Sequence, residues 1–140
     1  MNDFTLEAKS VLEKTGCTLV FCKNGEMYTD HERGVKTLLG FVNQGKVFSG
    51  YSVADKVVGK AAAYLYVLLD IDELYADIIS ESALDVFTDS GIEVFYGTSV
   101  GRIKNRSNTG YCPMETAVMD VTNPQEALIA INDKWRELNT

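Results

Sequence analysis

The segment 56–69, KVVGKAAAYLYVLL, decides the fold, because its side chains are apolar almost all the way round. A surface helix keeps one polar face, so a helix without one is expected in the middle of a protein. Lys60 is the only charged residue between Lys56 and Asp70. It lies in the first turn of the predicted helix, where the helix dipole disfavours a cation. We therefore expect its ammonium group to have a partner: water, a carboxylate or a bound anion.

Strands and helices alternate on both sides of this central segment. Helices are predicted at 4–14, 33–44, 80–90, 112–121 and from 124 to the C-terminus, and strands at 17–23, 26–29, 47–53, 73–79 and 92–100, the last of them buried. Asn24-Gly25 between two strands is a strong signal for a two-residue hairpin. The alternation predicts a single layered α/β domain over residues 1–140, and the hairpin makes its sheet mixed.

Several helix starts carry capping signals. Asp30 and Ser80 each precede a predicted helix and are expected to cap it. Asn123-Pro124-x-Glu126 combines a cap, a proline at the first position and an acid at the third. Cys112-Pro113-Met114-Glu115 has the same layout, with a thiol at the cap position.

Composition excludes several classes of function. The chain of 140 residues has a net charge of −7, and an acidic surface repels nucleic-acid phosphates. Three cysteines without a CxxC pair are typical of a reducing compartment. The first residues do not form a signal peptide, and the longest apolar run, 61–69, is too short to cross a membrane. We expect a cytoplasmic protein without nucleic-acid or membrane partners.

Two weaker motifs are set aside. His31 lies in a polar stretch and is expected to be solvated, since the chain has no second histidine to complete a metal-ligand set. Gly59-Lys60 is not a phosphate loop, because Ala54 replaces the required glycine and Ala61 the Ser or Thr.

Cationic residues indicate one place for a ligand. Arg102, Lys104 and Arg106 put three cations within five residues of a chain that is short of them. Such a run is either a solvated loop or a clamp for a phosphate group. Lys60 is open to the same two interpretations, as a surface-reaching lysine or as part of an anion site.

Cys112 and Glu115 are the candidate catalytic residues. A thiol at a helix N-terminus is more reactive than an ordinary thiol, and a carboxylate at the third position projects around the same helix end. The alternative is a structural cap with an exposed acid.

Two such helix starts, separated by a β-α-β-loop stretch, resemble the cytidine deaminase-like superfamily from residue 47 to 121, and the hairpin extends the resemblance. In catalytic members one helix opens with His-Ala-Glu or Cys-Ala-Glu, and a later one with Pro-Cys-x-x-Cys; together they hold zinc, and the Glu moves protons. Lys60-Ala61-Ala62 stands in place of the first motif. Tyr111-Cys112-Pro113-Met114-Glu115 stands in place of the second.

The resemblance implies a three-layer α/β/α sandwich with a mixed sheet and an inherited ligand pocket. It also implies no zinc and no other cofactor, because Lys60 and Glu115 replace two ligands and Ala62 replaces the proton-shuttling glutamate. The chain is thus similar to a zinc-less prokaryotic branch of the superfamily, a domain of unknown function. In that arrangement the Lys60 ammonium is expected within ion-pairing or one-water distance of the Glu115 carboxylate, across the former metal position and beside Cys112. The alternative is that Lys60 turns toward an anionic ligand shared with Arg102 or Lys104.

Three functions remain open. The first is a ligand-binding domain for a nucleoside, nucleotide or related phosphate ester, whose ligand is held by Lys60, Arg102, Lys104 and Arg106. The second is an enzyme that uses Cys112 as a nucleophile or redox thiol. The third is a structural or regulatory subunit of a homo-oligomer, such as a dimer.

Overall fold

The computed structural model describes residues 1–32, 35–103 and 112–139. In these ranges the helices are α1 (Asp3–Thr15), α2 (Lys36–Asn43), α3 (Lys60–Leu69), α4 (Glu81–Phe87), α5 (Pro113–Ala117) and α6 (Pro124–Leu138). The strands are β1 (Leu19–Lys23), β2 (Glu26–Asp30), β3 (Ser52–Val58), β4 (Glu73–Ser80) and β5 (Glu93–Val100).

The strands form one mixed sheet in the order β2-β1-β3-β4-β5. Strand β1 runs antiparallel to β2 and to β3, whereas β3, β4 and β5 run parallel to one another. Helices α3 and α4 make the two crossovers between the parallel strands. The predicted α/β class with a mixed sheet is confirmed.

The β1–β2 hairpin turns at the predicted dipeptide. Asn24 and Gly25 both have positive φ, 32° and 86°. Positive φ at both central residues is the requirement of a type I′ turn, which matches the twist of the flanking strands. Lys23 therefore pairs with Glu26, and this register continues along both strands.

Helix α1 covers one face of the sheet. Its buried residues Ala8 and Leu12 pack against Val20 of β1 and Ala54 of β3. The start of α1 is fixed by Asn2, whose side chain accepts a hydrogen bond from the Thr5 amide at 2.8 Å. The sheet residues that alternate with this set point to the opposite face, as the period of two requires.

Helix α3 lies at the centre of the opposite layer, as its composition predicts. It contacts β3, α2, α4, α5 and α6. Leu65, Tyr66 and Leu69 are fully buried and belong to the same core as Phe21 and Val53 of the sheet. No helix of the described ranges has the length and apolar character needed to cross a bilayer.

A hydrogen bond between a buried tyrosine of α3 and a half-buried aspartate of β3 ties the helix to the sheet. The Tyr66 hydroxyl donates to Oδ2 of Asp55 at 2.6 Å. Burial raises the pKa of Asp55 to about 7, against the lowering effect of its hydrogen bonds from Tyr66 and from backbone amides. Burial likewise raises the pKa of Tyr66 well above its ordinary value, so the phenol remains a donor.

The boundary predicted between the third strand and the central helix is wrong. The strand is 52–58 rather than 47–53, and the helix starts at Lys60, not four residues earlier. An apolar run is compatible with a strand buried on both faces as well as with a buried helix, and periodicity does not separate the two. Gly59 marks the true boundary.

The prediction that the fifth strand is buried is also wrong. None of the residues of β5 is buried, and five of its eight are exposed. The strand is apolar enough for an interior position, but in the sheet formed by the described residues it is the last strand, next to β4 alone.

Two of the four predicted caps, Ser80 and Asn123, make the expected capping hydrogen bond. Ser80 Oγ accepts from the Ala83 amide at 3.1 Å, and Asn123 Oδ1 accepts from the Glu126 amide at 2.9 Å. Asp30 does not cap a helix. Its Oδ1 accepts from the next two amides and so closes a turn after β2, a local bond that short acidic side chains favour. Helix α2 begins later, at Lys36, without a side-chain cap.

We predict that Asp55→Asn changes how stability depends on pH. Between the ordinary pKa of 3.8 and about 7, folded Asp55 keeps a proton that the unfolded chain has lost. The free energy of unfolding should therefore fall as pH rises through this window and level off above it, by about 2–4 kcal/mol. In Asp55→Asn this fall should be absent.

Urea unfolding at pH 4.5 and pH 8 checks this, with Asp89→Asn as the control because Asp89 is exposed. The prediction is wrong if Asp55→Asn and Asp89→Asn follow the same pH profile.

Candidate functional site

The C-terminal ends of the three parallel strands lie together at one end of the sheet, the place where open α/β sheets bind ligands. Strand β3 leads there into Gly59 and Lys60, and β4 leads into Ser80. Arg102 follows the end of β5 by two residues and is exposed. Helix α5 packs against α3 beside these strand ends. Strand polarity thus places Lys60 and Arg102 on the same side of the protein.

The carboxylate of Glu115 sits on the N-terminus of α3. Its Oε1 accepts from the Lys60 amide at 2.7 Å and its Oε2 from the Ala61 amide at 2.9 Å. Glu115 is only 9% exposed. Two charge-assisted hydrogen bonds and the positive end of the helix dipole therefore stabilise a buried carboxylate that has no cationic partner among the described residues.

Gly59 leaves the space for this carboxylate. As the N-cap of α3 it offers no side chain to accept a hydrogen bond. A Cβ atom at Gly59 would overlap the Glu115 carboxyl group, with Oε2 at 2.6 Å. Its φ of −101° is ordinary for any residue, so contact with Glu115 is the reason for glycine here. Glu115 replaces the capping group that Gly59 lacks.

The expected ion pair between Lys60 and Glu115 does not form. The Lys60 ammonium donates instead to the carbonyl of Met119 at 3.1 Å and lies 5.9 Å from the centre of the Tyr64 ring. None of the ion pairs of residues 1–32, 35–103 and 112–139 joins Lys60 to Glu115. A buried ion pair requires the ammonium to lose its water, whereas the backbone amides already offer the carboxylate two donors.

Cys112 occupies the N-cap of α5, as predicted, with Pro113 and Glu115 at the first and third positions. The thiol makes no capping hydrogen bond. Cys112 is half-buried, whereas Cys17 and Cys22 are buried. Its amide donates to the carbonyl of Ile103 at 3.0 Å, which joins the segment after β5 to the start of α5.

The structure brings together only part of the predicted site. Glu115 and the start of α3 are in direct contact, and Cys112 lies three residues before Glu115 on the same short helix. Lys104, Arg106 and Tyr111 lie outside the described residues.

A zinc site of the kind implied by the deaminase resemblance does not fit these residues. Both oxygens of Glu115 are bonded to backbone amides, and Lys60 brings a positive charge. Across the described ranges, no group of three or more His, Cys, Asp and Glu is placed to hold a metal ion. Zinc requires about four ligands of this type, and Cys112 alone is insufficient.

The N-terminal ends of the parallel strands, at the opposite end of the sheet, are acidic. An open cavity of about 340 Å³ lies there, with Asp70, Asp72, Glu73 and Glu93 in its lining. Several of these carboxylates are bonded within the protein; Glu73, for example, accepts from the Asn2 amide at 2.7 Å. Negative charge there disfavours an anionic ligand, so the C-terminal ends of the strands, beside Lys60, are the better place for one.

Sequence reasoning missed the contact between Gly59 and Glu115. One signal was present: the residue before Lys60 is glycine, which is a weaker cap than Ser, Thr, Asp or Asn because it has no side-chain acceptor. A buried helix start without its own cap requires an acceptor from elsewhere in the chain.

We predict that Gly59 and Glu115 are energetically coupled. Glu115→Ala leaves two amides without a partner and should lower the free energy of unfolding by about 2–4 kcal/mol. Gly59→Ala displaces the carboxylate and should cost about 1–3 kcal/mol. In the Glu115→Ala background the same change should cost almost nothing, since the overlapping group is gone.

Urea unfolding of the two single variants and the double variant measures this coupling. Gly40→Ala is the control, because a Cβ at Gly40 has its nearest contact at 4.0 Å inside helix α2 and should stabilise by roughly 0.5–1 kcal/mol. Additive costs of Gly59→Ala and Glu115→Ala would contradict the coupling.

Comparison with known proteins places this fold in a family. A crystal structure of a DUF1893 family protein, TM1506, from Thermotoga maritima has the same fold, with a TM-score of 0.87. It is 24% identical and the alignment covers 96% of this chain and 91% of that chain. No curated protein matches the chain in sequence. The sequence profile of the TM1506 family, a domain of unknown function (DUF1893), matches residues 7–135, and the protein therefore belongs to that family.

Proposed function

We propose that the protein is a ligand-binding domain with a cytidine deaminase-like fold that takes a nucleoside, nucleotide or related phosphate ester without zinc. Its ligand lies at the C-terminal ends of the parallel strands, and Lys60 and Arg102 supply positive charge. Lys104 and Arg106 belong to the same proposal through their place in the sequence.

The contacts of the Lys60 ammonium group are the main support for this proposal. Within the described residues its polar contact is a neutral carbonyl, that of Met119, so its charge is not neutralised by a carboxylate. The nearest acid on the helix start, Glu115, is already bonded to backbone amides. In a chain of net charge −7, a lysine that is not ion-paired within the described residues and lies at the C-terminal ends of the strands is suited to bind an anionic group.

An apolar group beside Lys60 suits the remainder of such a ligand. The Tyr64 ring, 5.9 Å from the ammonium, is buried, whereas Met119 is 47% exposed and open to a ligand. A methionine side chain adapts readily to a flat ring, such as a nucleobase. Phosphate recognition by the Lys60 ammonium and ring contact by Met119 together favour a nucleotide over a simple anion.

An enzyme that uses Cys112 is the second candidate, and it rests on the greater accessibility of that thiol compared with Cys17 and Cys22. Thiol catalysis requires a base that accepts the thiol proton. Glu115 is the nearby acid, but both of its oxygens accept amide hydrogen bonds. The ligand-binding proposal therefore has the better support.

We predict that adenosine monophosphate raises the melting temperature of the protein, because a ligand that binds only the folded state stabilises it. With Lys60→Met, roughly tenfold more ligand should be needed to reach the same rise in melting temperature, since the substitution removes the cation. Lys14→Met is the matched control, because Lys14 is an exposed lysine of α1, on the other face of the sheet.

Thermal shift with adenosine, adenosine monophosphate and inorganic phosphate separates the groups that are recognised. No shift with any of the three at millimolar concentration would refute the proposal. A shift that is equal in Lys60→Met and in Lys14→Met would refute the role of Lys60.

We further predict that the purified protein carries no stoichiometric zinc and does not release ammonia from cytidine, deoxycytidine or adenosine. Deamination in the resembling enzymes requires a metal-bound water and a proton-shuttling carboxylate. Ala62 stands where that carboxylate would be. Elemental analysis that finds about one zinc per chain, or ammonia release that persists through purification, would contradict this.

A further inference from the structure

Within the described residues, strand β5 presents an open backbone edge, because it is hydrogen-bonded to β4 on one side and to no strand on the other. Among residues 1–32, 35–103 and 112–139, no other backbone hydrogen bond involves β5. With eight residues, β5 is as long as β4 and longer than β1 or β2. Backbone groups of such an edge are a template for another strand.

The usual protections of an edge strand are missing from β5. Its sequence, EVFYGTSV, contains no proline, lysine or arginine, and Glu93 at its first position is its only charge. The other edge strand, β2, is short and carries Glu26 and Asp30 at its two ends. Proteins commonly block edges with charge, proline or short length, and only β2 shows such features.

We propose that β5 pairs with β5 of a second copy of this chain, antiparallel and about a two-fold axis near Tyr96, so that two sheets join into one. This inference is independent of the ligand site. A closed two-fold dimer uses the same surface on both copies and therefore leaves no open β5 edge.

Charge placement favours this partner and this direction. With Tyr96 opposite itself, Glu93 lies opposite Ser99 of the second copy, and the two Glu93 carboxylates are roughly 20 Å apart at 3.4 Å per residue. Parallel pairing would instead set the two carboxylates side by side. The same operation on β2 would bring Glu26 opposite Asp30, and like charges that face each other are destabilising.

One side chain of β5 also suits antiparallel self-pairing. Tyr96, which is 46% exposed, meets Tyr96 of the second copy, and cross-strand aromatic pairs stabilise a sheet.

The test is the mass of the full chain in solution, by sedimentation velocity and light scattering. Unmodified protein should have twice the chain mass of 15.5 kDa. Tyr96→Lys sets two cations against each other and should raise the dimer dissociation constant roughly tenfold or more. Tyr28→Lys is the matched control, since Tyr28 is the middle residue of β2 and is 41% exposed; it should leave the dimer intact.

Mixing Tyr96→Lys with Tyr96→Glu should restore the dimer, because opposite charges then meet. Hydrogen exchange of the unmodified protein gives a readout that needs no variant: the β5 amides should be better protected at high protein concentration. A monomer mass into the high micromolar range, a dimer that survives Tyr96→Lys or is lost in Tyr28→Lys, or β5 exchange that does not depend on concentration would overturn the proposal.

Discussion

The start of helix α3 is the constraint on which the candidate site depends. This helix lies among the sheet and four other helices, so its first amides are shielded from water and require acceptors from the protein. Its cap residue, Gly59, has no side chain to offer. The carboxylate of Glu115, 55 residues further along the chain, accepts from the first two amides of the helix.

This one contact explains several features of the region. It fixes α5 against α3, because Glu115 belongs to α5. It requires a glycine at position 59, because any side chain would occupy the space of the carboxylate. Among the described residues it also leaves Lys60 without an acidic partner, and the lysine side chain reaches the carbonyl of Met119. The cation and the buried carboxylate therefore have separate roles, one outward and one structural.

Local signals in the sequence predicted much of the fold. The Asn24-Gly25 turn, the caps at Ser80 and Asn123 and the central position of α3 all follow from side-chain chemistry within a few residues. The site residues Lys60, Cys112 and Glu115 were found because they open two helices. Their contacts were not, since the partner of Glu115 was expected to be an ammonium group and is the backbone.

The sequence by itself determined the order of the helices and strands along the chain, the turn at Asn24-Gly25, and that a cation and a carboxylate occupy two helix starts. These properties depend on neighbours within one or two turns of the chain. Only the tertiary structure decided that segment 52–58 is a strand and not the start of a helix, that β5 lies at an open edge, and which atoms meet Glu115. An apolar run satisfies either periodicity, and strand order and long-range hydrogen bonds arise from packing between segments far apart in the chain, which no local pattern encodes.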